Sequence, residues 1–476
     1  MSHRDKDCRT GSKTFAQELS TAIQWLLGTL DLRGVKLRKD CTWSVKALIS
    51  AALLWAWSSE TALTQRLQQA VDVARQIWKR GVPASTSYQA FIKLLMRWTA
   101  NLSACLILGL RTQMERGSPE QFHIAGFLVL AGDGSKLGLC RTKSNECRFS
   151  PAKTQRKNRK KKKRGGGRPR SRKAQARQSR EKKADSPQMA LTALYHVGMR
   201  LPWDWRIGPG DSSERAHMLD MSAHLPANAL ITNDCGFMGY EFWSALYAQH
   251  RHFVIRVGGN VRLLKGLGVV REKDGIVYLW PNKVAKRKQP PLILRLVVVH
   301  GARHPWYLVT SVLSPQRLSD RQVAEIYRRR WGIELFFRHF KQTFGRSKLR
   351  SHKAEHAECE AHWSLLGLWT MLLYAHQRLP RDPKKQPRFS VARVLRAFRR
   401  AMQRCTRSPE DGESLREMLG VAVLDPYKRR DKRSRGYPRK KYESQAQPPK
   451  LANATTNQRI LAQQVMSVQP TKGLTA

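Results

Sequence analysis

The first quarter of the chain has the apolar pattern of an α-helical domain. Between residues 14 and 116 apolar side chains recur at helical spacing, as in segments 49–57 and 91–98. This period places the apolar residues on one face of each helix, where they can pack together. We therefore predict an all-α N-terminal domain over residues 1–118. Its basic residues are interspersed, so the pattern leaves DNA binding and simple packing equally open.

After residue 118 the pattern changes to short apolar runs separated by helical segments. The candidate strands cover residues 124–131, 191–197, 230–232 and 253–257, and the helical segments cover 211–225 and 240–250. Short apolar runs bounded by turns are typical of buried strands, and their alternation with helices is typical of a mixed α/β fold. We predict the first part of an α/β core over residues 119–257.

A second group of β-like runs follows, at residues 275–280, 292–299 and 306–312. The group precedes a strongly helical segment, so it has the character of a small sheet inserted into the core. We predict a β-rich insertion over residues 258–314. The helices of residues 315–380 then complete the core.

The helix after the insertion is the best-marked element of the sequence. Ser319 and Gln322 have the spacing of a capping box, in which each side chain bonds the backbone N–H of the other residue. Asp320 suits the positive end of the helix dipole, and Gly345 can end the helix in the left-handed conformation. These signals predict a helix over residues 320–344. A further apolar helix, over 355–377, is predicted to support it.

Charge indicates a polyanionic partner. The net charge is +53, from 88 Lys and Arg against 35 Asp and Glu, and nucleic acid is the natural partner for such a chain. Residues 153–183 hold 17 basic residues and one acidic residue, so we predict a disordered loop over 153–185. Its centre, residues 167–170, resembles an AT-hook that enters the minor groove, and non-specific phosphate binding is the simpler alternative.

A second basic stretch lies near the C-terminus. Residues 427–441 contain nine basic residues and one acidic residue, which predicts a phosphate-binding extension within a basic, partly disordered region over 381–476. The DNA-binding candidates of the two basic stretches are Lys160, Lys161, Arg168, Arg170, Arg439 and Lys440.

Other patterns exclude some classes of protein. We find no run of 18 or more apolar residues and no signal-peptide pattern, so we expect a soluble protein of the cytoplasm, associated with the nucleoid and not with a membrane. The eight cysteines include no CxxC pair, which predicts reduced thiols rather than disulfides or a cysteine-based zinc site. A group near one helical face fits no standard zinc motif, so packing or DNA contact is favoured for its members. The group comprises His352, His356, Cys359 and His362.

Three acidic residues stand at positions suited to chemistry. Asp133 follows an apolar strand and precedes Gly134, a residue that lets a ligand approach the backbone closely. Asp234 lies just past another short buried strand. Each position alone would more often form a turn. Glu334 lies in the marked helix, where its spacing from three other polar residues, Tyr327, Arg330 and Lys341, puts all four side chains on one face.

Together these segments resemble a known family. Asp133-Gly-Ser, Asp234-Cys-Gly-Phe followed by Gly-Tyr, and Tyr327-x2-Arg330-x3-Glu334-x6-Lys341 are similar to the motifs of the DDE transposases of insertion-sequence family four, which carry the YREK signature. The resemblance spans about residues 122–374, and segment 208–215 also reads like the family. It implies an RNase H-like catalytic core with an inserted β-rich subdomain, preceded by the all-α domain.

The family resemblance also implies a mechanism. Asp133, Asp234 and Glu334 would hold two Mg²⁺ ions, for which Mn²⁺ can substitute, because hard cations prefer oxygen ligands. Arg330 and Lys341 would hold phosphates of the transposon end, and Tyr327 would add a hydrogen bond.

The expected reaction is cut-and-paste transposition by a synaptic homodimer. It would cleave at the terminal inverted repeats through a hairpin and then transfer the 3′-hydroxyls into target DNA. A hairpin needs a distorted base that an aromatic side chain can stack on, and Trp203, Trp280 and Trp306 are candidates, although core packing is the simpler role for each.

Two alternatives stay open at the level of sequence. A nuclease of the same fold would cleave without strand transfer, and only its products distinguish it. A catalytically inactive or domesticated DNA-binding protein would use the charge alone. The three acidic residues argue against this second alternative, because a passive binder has no reason to direct carboxylates towards a polyanion.

Overall fold

The structure is a computed structural model. It describes residues 15–150, 186–272, 275–300, 305–378, 389–406, 413–422 and 447–468.

One mixed sheet runs through the described part of the chain. Its strands are β1 Leu128–Gly138, β2 Gln188–His196, β3 Leu201–Pro209, β4 Ala229–Asn233, β5 His252–Val257, β6 Arg262–Lys265, β7 Ile276–Leu279, β8 Leu292–Val299, β9 Trp306–Thr310 and β10 Lys450–Asn453. The ten strands lie in the order β10-β6-β7-β8-β9-β5-β4-β1-β2-β3. The mixed α/β class predicted from the sequence is confirmed.

Helices cover the sheet and form the N-terminal region. They are α1 Phe15–Leu27, α2 Val45–Trp57, α3 Leu63–Ile77, α4 Tyr88–Gly117, α5 Pro119–Phe122, α6 Lys143–Phe149, α7 Glu214–Ala223, α8 Tyr240–Ala248, α9 Asn282–Lys286, α10 Asp320–Arg329, α11 Gly332–Arg338, α12 Ala354–Arg378, α13 Val391–Cys405, α14 Leu415–Gly420 and α15 Thr456–Val468. The all-helical pattern read from residues 14–116 matches the elements observed there.

Strands β1 to β5 form one half of the sheet. β2 pairs antiparallel with both β1 and β3, whereas β4 pairs parallel with β1 and β5 pairs parallel with β4. Each parallel connection is made through a helix, α7 before β4 and α8 before β5, because parallel neighbours require a crossover. The sequence pattern did not indicate β3, whose segment begins and ends beside prolines and carries the charged residues Asp204 and Arg206.

The predicted β-rich insertion is part of the same sheet. β9 pairs antiparallel with β5 over four residue pairs ending at Val257↔Tyr307, and β8 and β7 extend the sheet outwards from β9. β6 and the C-terminal β10 form the far edge. The strands of residues 258–314 therefore extend the edge of the core sheet instead of forming a sheet of their own.

The N-terminal helices share one hydrophobic core with α12. Trp57 of α2 donates its indole N–H to the carbonyl of Gly367 in α12 over 2.8 Å, and Trp363 of α12 donates to the Thr99 hydroxyl in α4 over 3.0 Å. A Cβ at Gly367 would lie 2.9 Å from the Cβ of Ala56, so glycine allows this close approach of the two helices. The helix predicted over 355–377 is thus a buried supporting helix.

α4 is long and apolar enough, by length and composition, to cross a membrane, and it is the one such helix in the part of the chain that the structure describes. A core helix of a soluble protein passes the same test. In this structure α4 contacts α12 through the hydrogen bond between Thr99 and Trp363. The segment Phe91–Thr99 of α4 contains two charged residues, Lys93 and Arg97.

The marked helix over residues 320–344 is divided. The capping box of Ser319 and Gln322 is present at its start, and Gly345 has φ +75° at its end. Between them α10 ends at Arg329, α11 begins at Gly332, and residues His339–Thr343 form a π-helical turn. The predicted ends are therefore right, while the regular spacing assumed along the helix is interrupted twice.

Candidate active site

Asp133 and Asp234 lie side by side where the pairing of two parallel strands ends, Asp133 within β1 and Asp234 just after β4. β1 and β4 are parallel neighbours, and their pairing runs up to Ala131↔Thr232. Asp133 and Asp234 each stand two residues beyond that pair, and the backbone of Asp234 is still extended, with φ −80° and ψ −176°. Neighbouring strands are about 4.8 Å apart, and residues at the same register face the same side of a sheet. The topology therefore brings the two carboxylates together.

Local hydrogen bonds fix the orientation of both aspartates. The Oδ1 atom of Asp133 accepts a bond of 2.8 Å from the backbone N–H of Gly134. Asp234 caps the short 3₁₀ turn that follows it, and its Oδ1 atom accepts a bond of 2.8 Å from the N–H of Gly236. Between the strands, the buried Asn233 side chain donates to the Gly132 carbonyl over 2.8 Å. Both carboxylates are therefore positioned by backbone groups beside them.

The electrostatic environment of Asp133 is that of a crowded acidic site. Burial raises the pKa of Asp133 from 3.8 to about 6, the N–H of Gly134 opposes this shift, and the negative charges of Asp234 and Glu214 add to it. The positive charge of Arg330 also opposes the shift. Desolvation and like charges both disfavour the ionised carboxylate, so Asp133 gains from any cation placed beside it.

Glu334 reaches the same site through Arg330. The guanidinium of Arg330 donates to the Glu334 carboxylate over 2.8 Å, one helical turn apart. Arg330 also lies over the Tyr327 ring, 5.4 Å from its centroid. Burial opposes the positive charge of Arg330, but Tyr327, Glu334 and Asp234 together raise its pKa above the ordinary value. Arg330 is thus within electrostatic reach of Asp133, Asp234 and Glu334.

The other two residues of the predicted helical face stand differently. Tyr327 is buried, and burial raises the pKa of its phenol while Arg330 and Arg256 lower it. Lys341 lies in the π-helical turn beyond α11 and is half-buried, and burial lowers the pKa of its amine. The described contacts therefore join Tyr327, Arg330 and Glu334 directly, whereas Lys341 is displaced along the interrupted helix.

The donor set fits a hard divalent cation. Asp133, Asp234 and Glu334 supply carboxylate oxygens only, which Mg²⁺ prefers, and all three side chains are partly accessible. Across the described segments, no group of three or more His, Cys, Asp or Glu side chains is arranged so that it could hold a metal ion. Protein Mg²⁺ sites commonly keep several waters and use substrate phosphates as ligands, so an open set is compatible with such an ion.

Comparison with known proteins assigns the chain to a family. Residues 127–369, about half of the chain, match the family model described as the transposase DDE domain. The chain belongs to this family. The matched region contains Asp133, Asp234, Glu334 and the whole Tyr327–Lys341 motif. Transposases of the DDE family generally use divalent metal ions.

A curated relative and a solved structure are also similar to the chain. Transposase InsG for insertion sequence element IS4, from Escherichia coli strain K12, is 29% identical over 198 residues, which span 40% of this chain and 44% of that relative. The chain thus aligns with less than half of its length. A cryo-EM structure of a piggyBac transposase synaptic complex with hairpin DNA covers 89% of this chain and 80% of its own, with a TM-score of 0.36 and 11% identity. We base no argument on a likeness at this level.

Of the three tryptophans considered for base stacking, one lies beside the DDE site. Trp306 is half-buried and its ring lies 6.1 Å from that of Tyr327. Trp203 and Trp280 are both buried, so they pack in the core as the simpler interpretation had it. Trp331, which the sequence did not single out, joins α10 to α11 next to Arg330 and is 56% exposed.

Two more charged residues near the site were missed by sequence reasoning. Glu214 begins α7 and acts electrostatically on Asp133. Arg215 donates to the Gly236 carbonyl from both Nε, over 3.1 Å, and Nη2, over 2.7 Å, and so holds the turn that carries Asp234. The helix-capping residue Ser213 and segment 208–215 were visible in the sequence, but only the crossover from β3 to β4 places this helix end at the site.

The histidine and cysteine group does not form a zinc site. His362 Nδ1 accepts a bond of 3.0 Å from the indole N–H of Trp205, and Cys359 contacts the Thr99 hydroxyl at 3.6 Å. Burial lowers the pKa of His362 to about 4, with help from the positive charge of Arg206. These partners belong to the packing between α12, α4 and β3. The cysteines of the described segments are free thiols, as predicted.

The remaining DNA-binding candidates lie outside the described residues, so the structure leaves them as predictions. They are Lys160, Lys161, Arg168, Arg170, Arg439 and Lys440.

Proposed function

We propose that the chain is a DNA transposase that cleaves DNA at the ends of an insertion sequence and transfers the ends into target DNA. The observation that carries this proposal is the common register of Asp133 in β1 and Asp234 just beyond β4, together with Arg330, which is bonded to Glu334 and acts electrostatically on both aspartates. Membership of the transposase DDE domain family gives this arrangement its chemical meaning.

An RNase H-like core is part of the same proposal. Supporting it, β1 to β5 lie in the order β3-β2-β1-β4-β5, with an antiparallel meander of β1, β2 and β3 followed by two parallel strands. The acidic residues stand at the middle of this half-sheet, and α10 and α11 bring Glu334 from one side. The division into an N-terminal domain over 1–118, core parts over 119–257 and 315–380, and an insertion over 258–314 stays a prediction.

Asp133, Asp234 and Glu334 would hold the divalent ions, which we propose to be two Mg²⁺. Bound at this site, such ions supply a nucleophilic hydroxyl and stabilise the oxygen that leaves phosphorus. The protein's own contribution is to orient these carboxylates through Gly134, Gly236 and Arg330. Burial and like charges destabilise the ionised form of Asp133 and raise its pKa. A cation bound beside Asp133 would stabilise this ionised form.

Arg330 would position the scissile phosphate. Its Nε atom is buried and has no hydrogen-bond partner among the described residues, while Nη2 is bonded to Glu334. A guanidinium can bind a phosphate through two parallel N–H bonds, and the buried Nε of Arg330 would reach a DNA oxygen if its side chain moves when DNA binds. Tyr327 and Trp306 line the same side, where they offer an aromatic surface to a displaced base.

The proposed chemistry is a pair of phosphoryl substitutions. In cleavage, the water oxygen forms a bond to phosphorus and gives up its proton, while the bond from phosphorus to the 3′-oxygen breaks and that oxygen gains a proton. In strand transfer, a 3′-hydroxyl attacks phosphorus of the target and expels another 3′-oxygen. The number of phosphodiester bonds is then conserved, so the transfer step needs no further energy source.

Partners and location complete the proposal. The substrates would be the terminal inverted repeats and target DNA, brought together by a homodimer in a synaptic complex. A net charge of +53 supports binding of both DNA substrates. We propose that the protein acts in the cytoplasm at the nucleoid.

The test is cleavage and strand transfer of a labelled element end, taken from the DNA flanking the gene, in the presence of Mg²⁺. We expect Glu334→Gln to bind the DNA but to lose products by at least a hundredfold, since removing a charged ligand disrupts the metal site. Glu325→Gln is the matched control, because Glu325 lies two turns earlier and pairs with Arg329 at the surface.

The outcomes separate the alternatives. Equal activity of Glu334→Gln and the wild type would exclude Glu334 as a metal ligand. Cleaved ends without joined products would favour the nuclease, and DNA binding without any products from the wild type would favour the catalytically inactive DNA-binding protein.

A further inference from the structure

The first turn of α7 points a carboxylate at the two aspartates. α7 begins at Glu214, and Ser213 caps it by accepting a bond from the N–H of Ala216. The next residue, Arg215, is bonded to the turn that carries Asp234. The helix end is therefore fixed relative to the site, and Glu214 is the first residue of this helix. In the sequence this glutamate was one residue of segment 208–215, which resembles the family, and no role was predicted for it.

Glu214 lies directly on the backbone of β1. A Cβ added to Gly134 would stand 2.1 Å from Oε1 of Glu214 and 2.2 Å from its Cδ. Such distances are far below a normal contact, so any side chain at position 134 would displace this carboxylate. Gly134 directly follows Asp133 in β1. The absence of a side chain there leaves room for Glu214 against the backbone of β1.

This placement concentrates negative charge. The charge of Asp234 acts on Glu214, and Glu214 and Asp234 both act on Asp133. The positive charge of Lys136 acts on Glu214 in the opposite sense. Carboxylates that share a site repel each other, and the positive end of α7 offsets only part of this repulsion. The arrangement would be well compensated by a divalent cation.

We propose that Glu214 is a fourth carboxylate of the metal-binding site, holding a divalent ion together with Asp133 and Asp234, directly or through one of the ion's waters. The inference rests on the proposed function, because it needs the acidic residues to be metal ligands. It adds a residue from α7 to a site otherwise drawn from β1, β4 and α11. Glycine is then required at position 134, because a side chain there would occupy the space of the Glu214 carboxylate.

The test measures metal binding rather than activity. Mn²⁺ binding to the full chain without DNA is titrated by electron paramagnetic resonance, in the wild type and in Glu214→Gln. Loss of a carboxylate that binds or orients a metal ligand set typically weakens metal affinity by about 10–100-fold, and we expect a loss in that range. Glu241→Gln is the matched control, because Glu241 is exposed in the first turn of the next helix, α8.

Gly134→Ala provides a second variant that keeps every carboxylate. Its methyl group displaces the flexible Glu214 side chain from β1, so we expect Mn²⁺ affinity to fall at least tenfold here as well. Position 134 has no left-handed backbone requirement, and thermal unfolding in the presence of a chelator should be close to that of the wild type. Full affinity in this variant would overturn the placement of Glu214 over Gly134.

Asp133→Asn separates this inference from the proposed function. If Asp133→Asn loses Mn²⁺ binding and Glu214→Gln retains wild-type affinity, Glu214 is no part of the site and the inference is overturned while the proposed function stands. If Asp133→Asn binds Mn²⁺ as tightly as the wild type, the proposed metal site itself is wrong.

Discussion

At the scale of single residues, the site brings together negatively charged side chains that repel one another. Asp133 is partly desolvated and has two acidic neighbours, so its ionised form is destabilised relative to an exposed aspartate. Arg330 compensates part of this charge and also holds Glu334. Unfavourable electrostatic interactions of this kind are common where residues are arranged to bind a ligand and not to stabilise the fold.

Asp133 should make folding depend on pH in the metal-free protein. Its pKa is raised from 3.8 to about 6 by folding, so the folded state binds the proton more tightly and its stability falls as the pH rises from about 4 to 6. Asp133→Asn removes the ionisation and can still accept the Gly134 bond. We expect this variant to be more stable than the wild type by about 1–2 kcal/mol at pH 7 and equal to it near pH 4.

Unfolding by urea at several pH values, in the presence of a chelator, measures this difference. Added Mg²⁺ should stabilise the wild type and leave the variant unchanged, because an ion that binds the folded state stabilises it by mass action. A difference between the two proteins that does not vary with pH would contradict the raised pKa of Asp133.

At the scale of elements, the site depends on turns that join strands to helices. α7 lies between β3 and β4, and its first turn holds the turn after β4 through Arg215 and the Gly236 carbonyl. The two ends of α7 have similar anchors: at its C-terminal end, Nε of Arg251 donates to the Ser222 carbonyl over 3.0 Å. Only the first anchor is next to a carboxylate of the proposed metal site, that of Asp234.

Arg215→Gln should therefore affect catalysis more than stability. Loss of its bonds to one carbonyl should lower the free energy of unfolding by about 1 kcal/mol, while cleavage of the element end should fall at least tenfold, because a misplaced reacting group loses the benefit of orientation. Arg251→Gln is the matched control and should show a similar loss of stability with near wild-type cleavage. Equal loss of cleavage in both variants would show that α7 acts only through overall stability.

The sequence predicted elements better than their irregularities. The capping box at Ser319 and the glycine at 345 mark the two ends of the helical segment predicted over residues 320–344, since both signals act within a few residues. The break at Arg330 and the π-helical turn at His339–Thr343 carry no such local signal. Tyr327, Arg330 and Glu334 are joined by direct contacts, whereas Lys341 lies beyond them in the π-helical turn.

At the scale of the whole molecule, the described helices and the sheet form one connected core. Arg66 of α3 and Glu360 of α12 form a buried ion pair at 3.4 Å, and Glu360 also accepts bonds from the N–H groups of Arg350 and Ser351. The N-terminal helices therefore pack directly against α12, the buried supporting helix. Two strongly basic stretches, residues 153–183 and 427–441, lie outside the described segments.

Replacing residues 153–183 by an equally long Gly/Ser linker should weaken DNA binding in general. The segment holds 17 basic residues and one acidic residue, and each phosphate contact adds to the slope of affinity against salt concentration. We expect lower affinity and a flatter salt dependence, with metal-dependent cleavage still measurable at low salt. The same replacement of residues 427–441 provides the comparison for a second basic stretch.

Fluorescence anisotropy at several salt concentrations measures the slopes, and the cleavage assay is run on the same proteins. Loss of cleavage with unchanged DNA affinity would show that residues 153–183 have a role in the chemistry that their charge does not explain.

The sequence by itself determined the nature of the partner, the mixed α/β class and the three acidic residues, because charge, periodicity and motif spacing are local properties of the chain. Only the tertiary structure decided that Asp133 and Asp234 share a register, that β9 joins the strands of residues 258–314 to β5, and that Glu214 lies over Gly134. Each of these depends on pairing between distant segments, whose free energy is set by the packing of the whole sheet and leaves no local pattern.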